Sequence, residues 1–345
     1  QDEIYASDFT HVFGIGAHIT YDQKVESISG FGQAEYEFTD RLKLIGGLRY
    51  EHETRDLNNF TSAFGGSTAL PPTDQTTDMS PLTGKAELDF KAADHVLFYA
   101  SASKGVKSGG FTTYNTGNAA GIAPFKPETL YAYEAGFKTN LTPEIQINGA
   151  AYYYDYRDQQ VLSIVCTANG AVGKFANAPK SQIHGFELEG VWQPVDGLRI
   201  SQSASYKKGE FKEFEDEDVG ACQLDPGRSH PINRAGQSIA FPKWSYAGDL
   251  SYDWLMGAAR VTAQADYSWH DKYPSWLGTT YDVSSYWLVN ASLTVAPAEG
   301  PWGVTLFARN LFNEKYDLTR NFFVNANIAQ PGAPRTYGLR LNYDF

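Results

Sequence analysis

Strict alternation of apolar and polar residues is the feature that most restricts how this chain can fold. In the final ten residues, TYGLRLNYDF, the apolar Tyr337, Leu339 and Leu341 alternate with polar residues or glycine. Successive side chains of a β-strand point to opposite faces, so a period of two residues indicates a strand with two different faces. The C-terminal segment therefore predicts a β-strand that is apolar on one face and polar on the other.

The same period recurs along the chain, and no segment shows helical periodicity. It predicts about thirteen strands from Ile28 to Phe345, and residues 8–20 could add a fourteenth. Many segments reach roughly ten residues, the length that crosses a bilayer at a tilt, whereas soluble β-sandwiches usually have strands of about 5–6 residues. Short turns alternate with long polar connections, and every short turn lies on the side of the C-terminus. This is typical of an outer-membrane β-barrel, and it favours a barrel over a sandwich.

Composition agrees with a barrel and excludes other classes. The chain has 22 Tyr and 21 Phe, which suit aromatic belts. No run approaches the roughly 18 apolar residues of a membrane helix. The net charge of -12 argues against nucleic acid as a partner, because phosphate binding needs a basic face. No signal peptide opens the chain, so we expect it either to be mature or to begin partway into a longer protein.

Several segments resemble one known family, the TonB-dependent outer-membrane receptors. The resemblance covers about residues 28–345, and the order and spacing of the segments make it more specific than any one of them. The segments are FGQAEYEFTDRLKLIGGLRYEHETRD (Phe31 to Asp56), SASKGVKSGGF (Ser101 to Phe111), FKPETLYAYEAGFK (Phe125 to Lys138), FANAPKSQIHGFELEG (Phe175 to Gly190), ARNLFNEKYD (Ala308 to Asp317) and PRTYGLRLNYDF (Pro334 to Phe345).

The resemblance implies an all-β fold, an antiparallel transmembrane β-barrel. Such receptors have about 22 strands and an N-terminal plug domain. The plug is absent here, so we expect about 13–14 strands from the C-terminal part of the barrel. Residues 1–27 would be an external loop and a strand end, and residues 28–345 the barrel part. The alternative is a complete barrel of about 14 strands that acts as a passive porin-type or hydrophobic-compound channel.

The function implied by the resemblance is TonB-dependent import of a scarce nutrient, most commonly a ferric siderophore, across the outer membrane of a Gram-negative bacterium. The implied partners are TonB with its inner-membrane energising complex, acting through the plug, the barrel-assembly machinery, the lipid bilayer, lipopolysaccharide and the ferric chelate. No cofactor, metal site or enzyme activity is expected.

Ser268 and His270 share a strand face but Asp271 points away, which argues against a catalytic triad. The acidic loop from Glu210 to Asp225 lacks the pattern of a calcium loop and is expected to be a solvated charge run.

Candidate functional residues fall into four groups. Aromatic residues and Arg in the external loops are candidates for ligand binding. They are Phe111, Tyr114, Tyr273, Trp276, Arg320, Phe322 and Phe323. Polar-face residues are expected to line the lumen and contact a plug: Arg49, Lys85, Glu87, Glu134, Glu187, Arg199, Arg309 and Arg340. Cys166 and Cys222 could form a disulfide in an oxidising compartment. Tyr343 and Phe345 resemble the C-terminal signal for barrel assembly.

Overall fold

A computed structural model describes residues 2–8, 17–64, 67–113, 122–167, 170–275, 281–323 and 326–343. The elements in these residues are almost entirely β-strands. The strands are β1 (Asp2–Asp8), β2 (Ala17–Thr39), β3 (Leu42–Phe64), β4 (Ser67–Met79), β5 (Leu82–Ala93), β6 (Val96–Lys107), β7 (Glu128–Thr142), β8 (Ile145–Thr167), β9 (Gly170–Val195), β10 (Leu198–Glu213), β11 (Glu215–Glu217), β12 (Pro231–Asn233), β13 (Trp244–Met256), β14 (Ala259–His270), β15 (Tyr273–Pro274), β16 (Asp282–Val283), β17 (Tyr286–Pro297), β18 (Trp302–Arg309), β19 (Asp317–Phe323), β20 (Ala326–Pro331) and β21 (Thr336–Tyr343). One short helix, α1 (Val219–Leu224), lies between β11 and β12.

Fifteen strands form a single antiparallel sheet. Fourteen of them lie in the order β1-β2-β3-β5-β6-β7-β8-β9-β10-β13-β14-β17-β18-β21, and β4 pairs with β3. The remaining small pairs, β11 with β12, β15 with β16 and β19 with β20, lie in the long connections. One sheet in nearly sequential order confirms the all-β antiparallel fold and excludes the two stacked sheets of a sandwich.

The thirteen strands from β2 to β21 along this order correspond to the thirteen predicted from the sequence. The predicted start at Ile28 is too late, because β2 begins at Ala17 and pairs with the outer half of β3. Of the suggested extra strand at residues 8–20, residues 9–16 lie outside the described residues. Residues 17–20 continue β2, and Asp8 ends β1, which pairs with residues 18–24. Among the described residues no ladder joins β21 to β1 or β2, so a closed fourteen-stranded barrel is not observed there.

The apolar face of the sheet is exposed rather than packed in a shared interior. Leu48 is 64% exposed, Leu306 56% and Leu341 71%, although all three are large hydrophobic residues on the apolar face of their strands. Such a surface is stable only against hydrocarbon or another apolar body. The opposite face bounds a cavity of about 740 Å³ lined by side chains of eight successive strands, among them Tyr99, Glu134, Glu187, Ser203, Ser268 and Tyr286. The polar face is therefore the concave one.

Aromatic residues mark two levels on the apolar face. At the outer level, rings contact one another from strand to strand, including Tyr206 with Trp244 at 4.9 Å between centroids, Tyr246 with Trp269 at 5.3 Å and Trp269 with Trp287 at 5.8 Å. At the inner level Tyr252 stacks on Trp254 at 5.2 Å. Trp244 and Trp254 lie ten positions apart on β13. At roughly 3.3 Å per residue and a tilt of about 40° this spans roughly 25 Å, the height of a lipid-facing band.

Beyond the outer aromatic level the long strands carry small hydrophobic cores of their own. Ile19, Leu57, Phe60, Leu70, Phe111 and Ile122 form one, where the β6–β7 connection packs on β2, β3 and β4. Ala178, Phe211 and Phe214 form a second, with Val161 and Ile239 against it. These cores fix the external loops in place. No helix in the described residues is long and apolar enough to span a membrane.

Candidate ligand site at the external mouth

The structure separates the predicted ligand-binding residues. Phe111 is 9% exposed and belongs to the first external core, so its side chain is withdrawn from the surface. Tyr273 lies in β15, and Arg320 lies in β19. Phe322 and Phe323 close the β19–β20 hairpin, where only their backbone placement is described. Tyr114 and Trp276 lie outside the described residues.

A cluster of aromatic rings surrounds His270 at the external end of β14. Its ring centroid lies 4.2 Å from that of Tyr286 and 5.4 Å from that of Tyr273, both edge to face. The Tyr286 ring in turn lies 4.5 Å from that of Tyr316. His270 and Tyr286 pair across β14 and β17 on the concave face. The cluster therefore presents aromatic surface at the outer mouth of the concavity.

Sequence reasoning named only Tyr273 of this cluster as a ligand-binding candidate. The missed signal was positional: His270 and Tyr286 are the polar-face residues at the external ends of adjacent strands. The sequence pattern relates His270 only to Ser268 and Asp271, as members of a possible triad. In the structure its Nδ1 lies 2.8 Å from the backbone oxygen of Asp271. No hydrogen bond from Ser268 to His270 occurs among the described residues, so the arrangement is not that of an activated nucleophile.

Arg320 joins two of the loops above this cluster. Its backbone N–H donates to Ser275 Oγ at 2.9 Å, and Ser275 Oγ donates back to the carbonyl oxygen of Arg320. The guanidinium donates from Nε to Asp317 Oδ2 at 2.6 Å, while the side chain stays 44% exposed. Its terminal N–H groups form no hydrogen bond within the described residues, which leaves them available to an anion.

Asn177 ties the loop after β6 to the β8–β9 ribbon. Its Oδ1 accepts from the backbone N–H of Lys126 at 2.8 Å, and its Nδ2 donates to the carbonyl oxygens of Lys126 at 2.9 Å and Asp158 at 2.8 Å. Beside it, Gln160 donates to the carbonyl of Ser108 at 2.7 Å. Three of the segments that resemble the receptor family, those containing Ser108, Lys126 and Asn177, are therefore joined at this point.

The acidic loop after β10 is folded around buried charge. Arg234 Nε lies 3.2 Å from Asp216 Oδ2, with the side chains 6% and 5% exposed, and Ser163 Oγ donates to the other carboxylate oxygen. Asp218 caps α1 by accepting from the backbone N–H of Ala221 at 2.9 Å. The expectation of a solvated charge run is therefore wrong for Asp216 and Asp218, because both carboxylates have structural partners. No group of three metal-ligating side chains occurs among the described residues.

Cys166 and Cys222 form a disulfide in the structure, with their Cα atoms 5.4 Å apart. The bond joins the outer end of β8 to α1. It lies beside the buried Asp216 and Arg234 pair on the same loop, so two different tethers hold this loop against the β8–β9 ribbon.

Asn310 organises the connection between β18 and β21. Its side chain accepts from the N–H of Glu314 at 2.7 Å and donates to the carbonyls of Glu314 at 2.9 Å and Ala333 at 3.0 Å. Its own N–H donates to Asn290 Oδ1 on β17 at 2.9 Å. Its φ of 49° is in the left-handed region, which Asn tolerates better than most residues. The residue is 5% exposed, so this loop is anchored from inside.

The ladder register places all eight predicted lumen residues on the polar, concave face. Several have partners there: Arg49 Nη2 lies 3.2 Å from Glu51 Oε2, and Tyr99 donates to Glu134 Oε1 at 2.7 Å. The guanidinium groups of Arg309 and Arg340 lie 5.8 Å and 5.9 Å from the centroid of the Phe307 ring. The ladder register shows that these residues are on the concave face, and their contact with a plug domain stays a prediction.

At the inner end of the sheet, Tyr343 pairs with Trp302 across β21 and β18. Both side chains are exposed on the apolar face. This is where an inner interfacial aromatic would lie. Phe345 lies outside the described residues.

Residues 4–313 match the family model described as "TonB dependent receptor-like, beta-barrel". The chain belongs to the TonB-dependent receptor β-barrel family. This match confirms the resemblance seen in the sequence. Proteins of this family are outer-membrane barrels of Gram-negative bacteria.

Curated relatives include the pesticin receptors of Yersinia enterocolitica, 23% identical over 330 residues, and of Yersinia pestis, 23% identical over 328 residues. Each match covers 93% of this chain and 44% of the relative, so the chain spans less than half the length of these relatives.

Solved structures agree in fold. The ferric yersiniabactin uptake receptor FyuA from Yersinia pestis superposes with a TM-score of 0.80 at 17% identity, covering 95% of this chain and 47% of that one. The siderophore receptor PiuA from Acinetobacter baumannii superposes with a TM-score of 0.71 at 17% identity, covering 95% and 44%. At these identities the likeness establishes the receptor-barrel fold.

Proposed function

We propose that this chain is the C-terminal part of the barrel of a receptor that imports a ferric siderophore across the outer membrane with energy from TonB. The observation that carries the proposal is the aromatic cluster of His270, Tyr273, Tyr286 and Tyr316 at the outer mouth of the concave face. It is supported by the relatives whose names specify pesticin and ferric yersiniabactin as what they receive.

The chemistry of the mouth suits a chelate of this class. Aromatic rings offer flat, rigid contact area to the organic ligand groups around a ferric ion. Arg320 supplies a cation whose terminal N–H groups have no partner among the described residues, and it is suited to a carboxylate or another anionic group. Tyr114 in the β6–β7 connection, and Trp276, Phe322 and Phe323 in the loops that hold the cluster and Arg320, remain proposed contacts.

The other partners belong to the same proposal. The concave polar face would hold a plug domain, and TonB with its inner-membrane complex would act through that plug. Residues 1–27 are proposed as external loop and strand end, and residues 28–345 as the barrel part. Tyr343 and Phe345 would be read by the barrel-assembly machinery, and the apolar face would meet the bilayer and lipopolysaccharide. No enzyme activity is proposed.

The test is uptake of labelled ferric siderophores by a strain in which the gene for the full-length protein is deleted. Loss of growth under iron limitation, and of uptake of at least one ferric siderophore, is expected. A second deletion, of tonB, should abolish the same uptake. Uptake that persists without TonB would instead indicate a passive channel, and no iron-dependent defect across a broad siderophore panel would refute the choice of cargo.

Variants locate the site. Tyr286→Ala and His270→Ala should weaken binding of the identified chelate by roughly tenfold each, since loss of a well-packed aromatic contact costs on the order of 1–2 kcal/mol. Tyr131→Ala is the matched control, because Tyr131 is an equally sized residue on the apolar face. If all three variants bind the chelate equally well, the aromatic cluster is not part of the ligand site.

A further inference from the structure

One serine hydroxyl joins two external hairpins. The β15–β16 hairpin lies in the connection from β14 to β17, and the β19–β20 hairpin lies in the connection from β18 to β21. Ser275 follows β15, and its hydroxyl both accepts from the backbone N–H of Arg320 and donates to the carbonyl oxygen of Arg320. Because both contacts are to backbone atoms, they fix where Arg320 stands relative to the first hairpin.

This contact is connected to the aromatic cluster on both of its sides. Ser275 comes two residues after Tyr273, so their Cα atoms are at most roughly 7 Å apart. Asp317, the ion-pair partner of Arg320, directly follows Tyr316. Both tyrosines belong to the cluster. Arg320 is therefore held in the same unit of loops as the rings.

A β-bulge in β19 orients the guanidinium of Arg320. The ladder register shifts between Asp317 and Thr319, so Leu318 is an extra residue on this strand. Side chains three positions apart point to opposite faces of a regular strand, whereas the extra residue brings Asp317 and Arg320 together. The carboxylate of Asp317 accepts only from Nε, at 2.6 Å. The two terminal nitrogens can therefore receive a second carboxylate.

Few acidic residues compete for these terminal nitrogens. In the sequence of the two hairpins, residues 273–283 and 317–331, the acidic residues are Asp282 and Asp317. Asp282 lies 3.6 Å from the ammonium group of Lys272, and Asp317 is already bound to Nε of Arg320. An anionic ligand group can thus reach the guanidinium without displacing a carboxylate of either hairpin.

We propose that Arg320 makes the external mouth selective for ferric chelates that carry a negative charge, and that Ser275 is the residue that positions it. The proposal rests on the proposed function. A neutral chelate leaves the terminal N–H groups to water, whereas a carboxylate accepts charge-assisted hydrogen bonds from them. Such bonds need a fixed donor geometry. Without the hydroxyl of Ser275, the backbone of Arg320 loses its link to the first hairpin, and the guanidinium is spread over many positions.

The test is binding of two matched probes to the purified full-length receptor. Ferrioxamine B acetylated on its free amine is neutral, and the same chelate succinylated there carries a carboxylate. The native receptor should bind the succinylated probe roughly tenfold more tightly, and added salt should reduce this preference. Arg320→Gln should bind both probes equally. Ser275→Ala should lose most of the preference, while Ser275→Thr, which keeps a hydroxyl, should retain it.

Ser284→Ala is the matched control, because Ser284 is an exposed serine of the same connection whose hydroxyl forms no hydrogen bond among the described residues. It should keep the preference for the succinylated probe.

A double variant separates positioning from a general effect on the loops. If Ser275 acts through Arg320, adding Ser275→Ala to Arg320→Gln should weaken neither probe further. A serine that only shapes the loops would instead weaken both probes alike, with or without Arg320. That result, an unchanged preference in Ser275→Ala, or a native receptor that does not prefer the succinylated probe would each overturn the proposal. A siderophore uptake defect in the deletion strain would still support import in all three cases, so the two proposals can fail separately.

Discussion

The guanidinium of Arg234 and the carboxylate of Asp216 lie 3.2 Å apart inside an external loop, with both side chains almost fully buried. A buried pair of this kind contributes little compared with an apolar replacement, but removing one partner leaves the other charge unpaired. The pair therefore makes the loop sensitive to single substitutions at these two positions.

We expect Arg234→Met to destabilise the loop after β10 by roughly 3–5 kcal/mol, because Asp216 would remain buried without its cation. Amide hydrogens of Phe214 to Gln237 should then exchange much faster than in the native protein. The double variant Asp216→Leu with Arg234→Met is the control, since it removes both charges and should recover most of the protection. Native-like exchange in the single variant would contradict a stabilising role for the pair.

The disulfide should tether the same loop independently. Replacing Cys166 and Cys222 by Ser is expected to speed trypsin cleavage after Arg228, an exposed residue that follows α1. In the chain-entropy model a loop of 56 residues gives roughly 4 kcal/mol, an upper limit here because β9 and β10 already hold the loop ends. Native protein treated with a reductant should be cleaved like the variant. Equal cleavage rates with and without the bond would refute the tether.

Asn177 should govern how firmly the β6–β7 connection is held. Asn177→Ala removes three hydrogen bonds, and we expect a local loss of roughly 2–3 kcal/mol, measured as faster exchange of the Lys126 amide hydrogen. Asn177→Asp should be at least as harmful at neutral pH, because a carboxylate would face the carbonyls of Lys126 and Asp158. Below about pH 4 the protonated acid can donate again, so partial recovery of Asn177→Asp, but not of Asn177→Ala, is expected.

Two substitutions at Asn310 separate backbone conformation from side-chain bonding. Asn310→Gly keeps the left-handed φ accessible but loses the three side-chain bonds, whereas Asn310→Ala loses both. We expect the Gly variant to destabilise the β19–β20 region by roughly 2 kcal/mol and the Ala variant by about 1 kcal/mol more. Hydrogen exchange in β19 and β20 measures both. Equal effects would show that the backbone conformation contributes nothing.

The membrane part of the fold was predictable because its residues obey one local rule. Arg340 and Leu339 lie on opposite faces as their spacing predicts, and Arg340 faces Thr305 on β18. Each strand repeats this rule, so strand count, face and turn polarity could all be derived from the sequence. Where one face of a strand meets lipid and the other meets polar groups, the alternation of apolar and polar residues in the sequence directly shows which face each side chain is on.

Outside the bilayer the rule fails, since the loops have cores of their own. Phe111 looked like an exposed loop aromatic and is instead buried against Phe60 and Leu57. At Asp158, φ is 51°, and beyond it Val161 and Ser163 turn toward the folded loop after β10. Neither feature leaves a periodic signal, because each depends on contacts between segments far apart in the chain.

The candidate site was harder to predict for the same reason. His270, Tyr286 and Tyr316 come from β14, β17 and the connection after β18, and only strand pairing brings them together. Tyr273 could be chosen because it is an aromatic in a long polar connection. The others could have been found by asking which polar-face residues end adjacent strands on the outer side.

Strand β9 begins at Gly170, sixteen positions before Phe186 at the outer aromatic level, and it pairs with β8 along this whole length. At roughly 3.3 Å per residue and a similar tilt, the paired ribbon stands about 40 Å clear of the lipid. It is a stiff stalk rather than a slack loop, because the ladder continues to its tip. A body too large to fit beside this stalk would therefore meet it before reaching the mouth below.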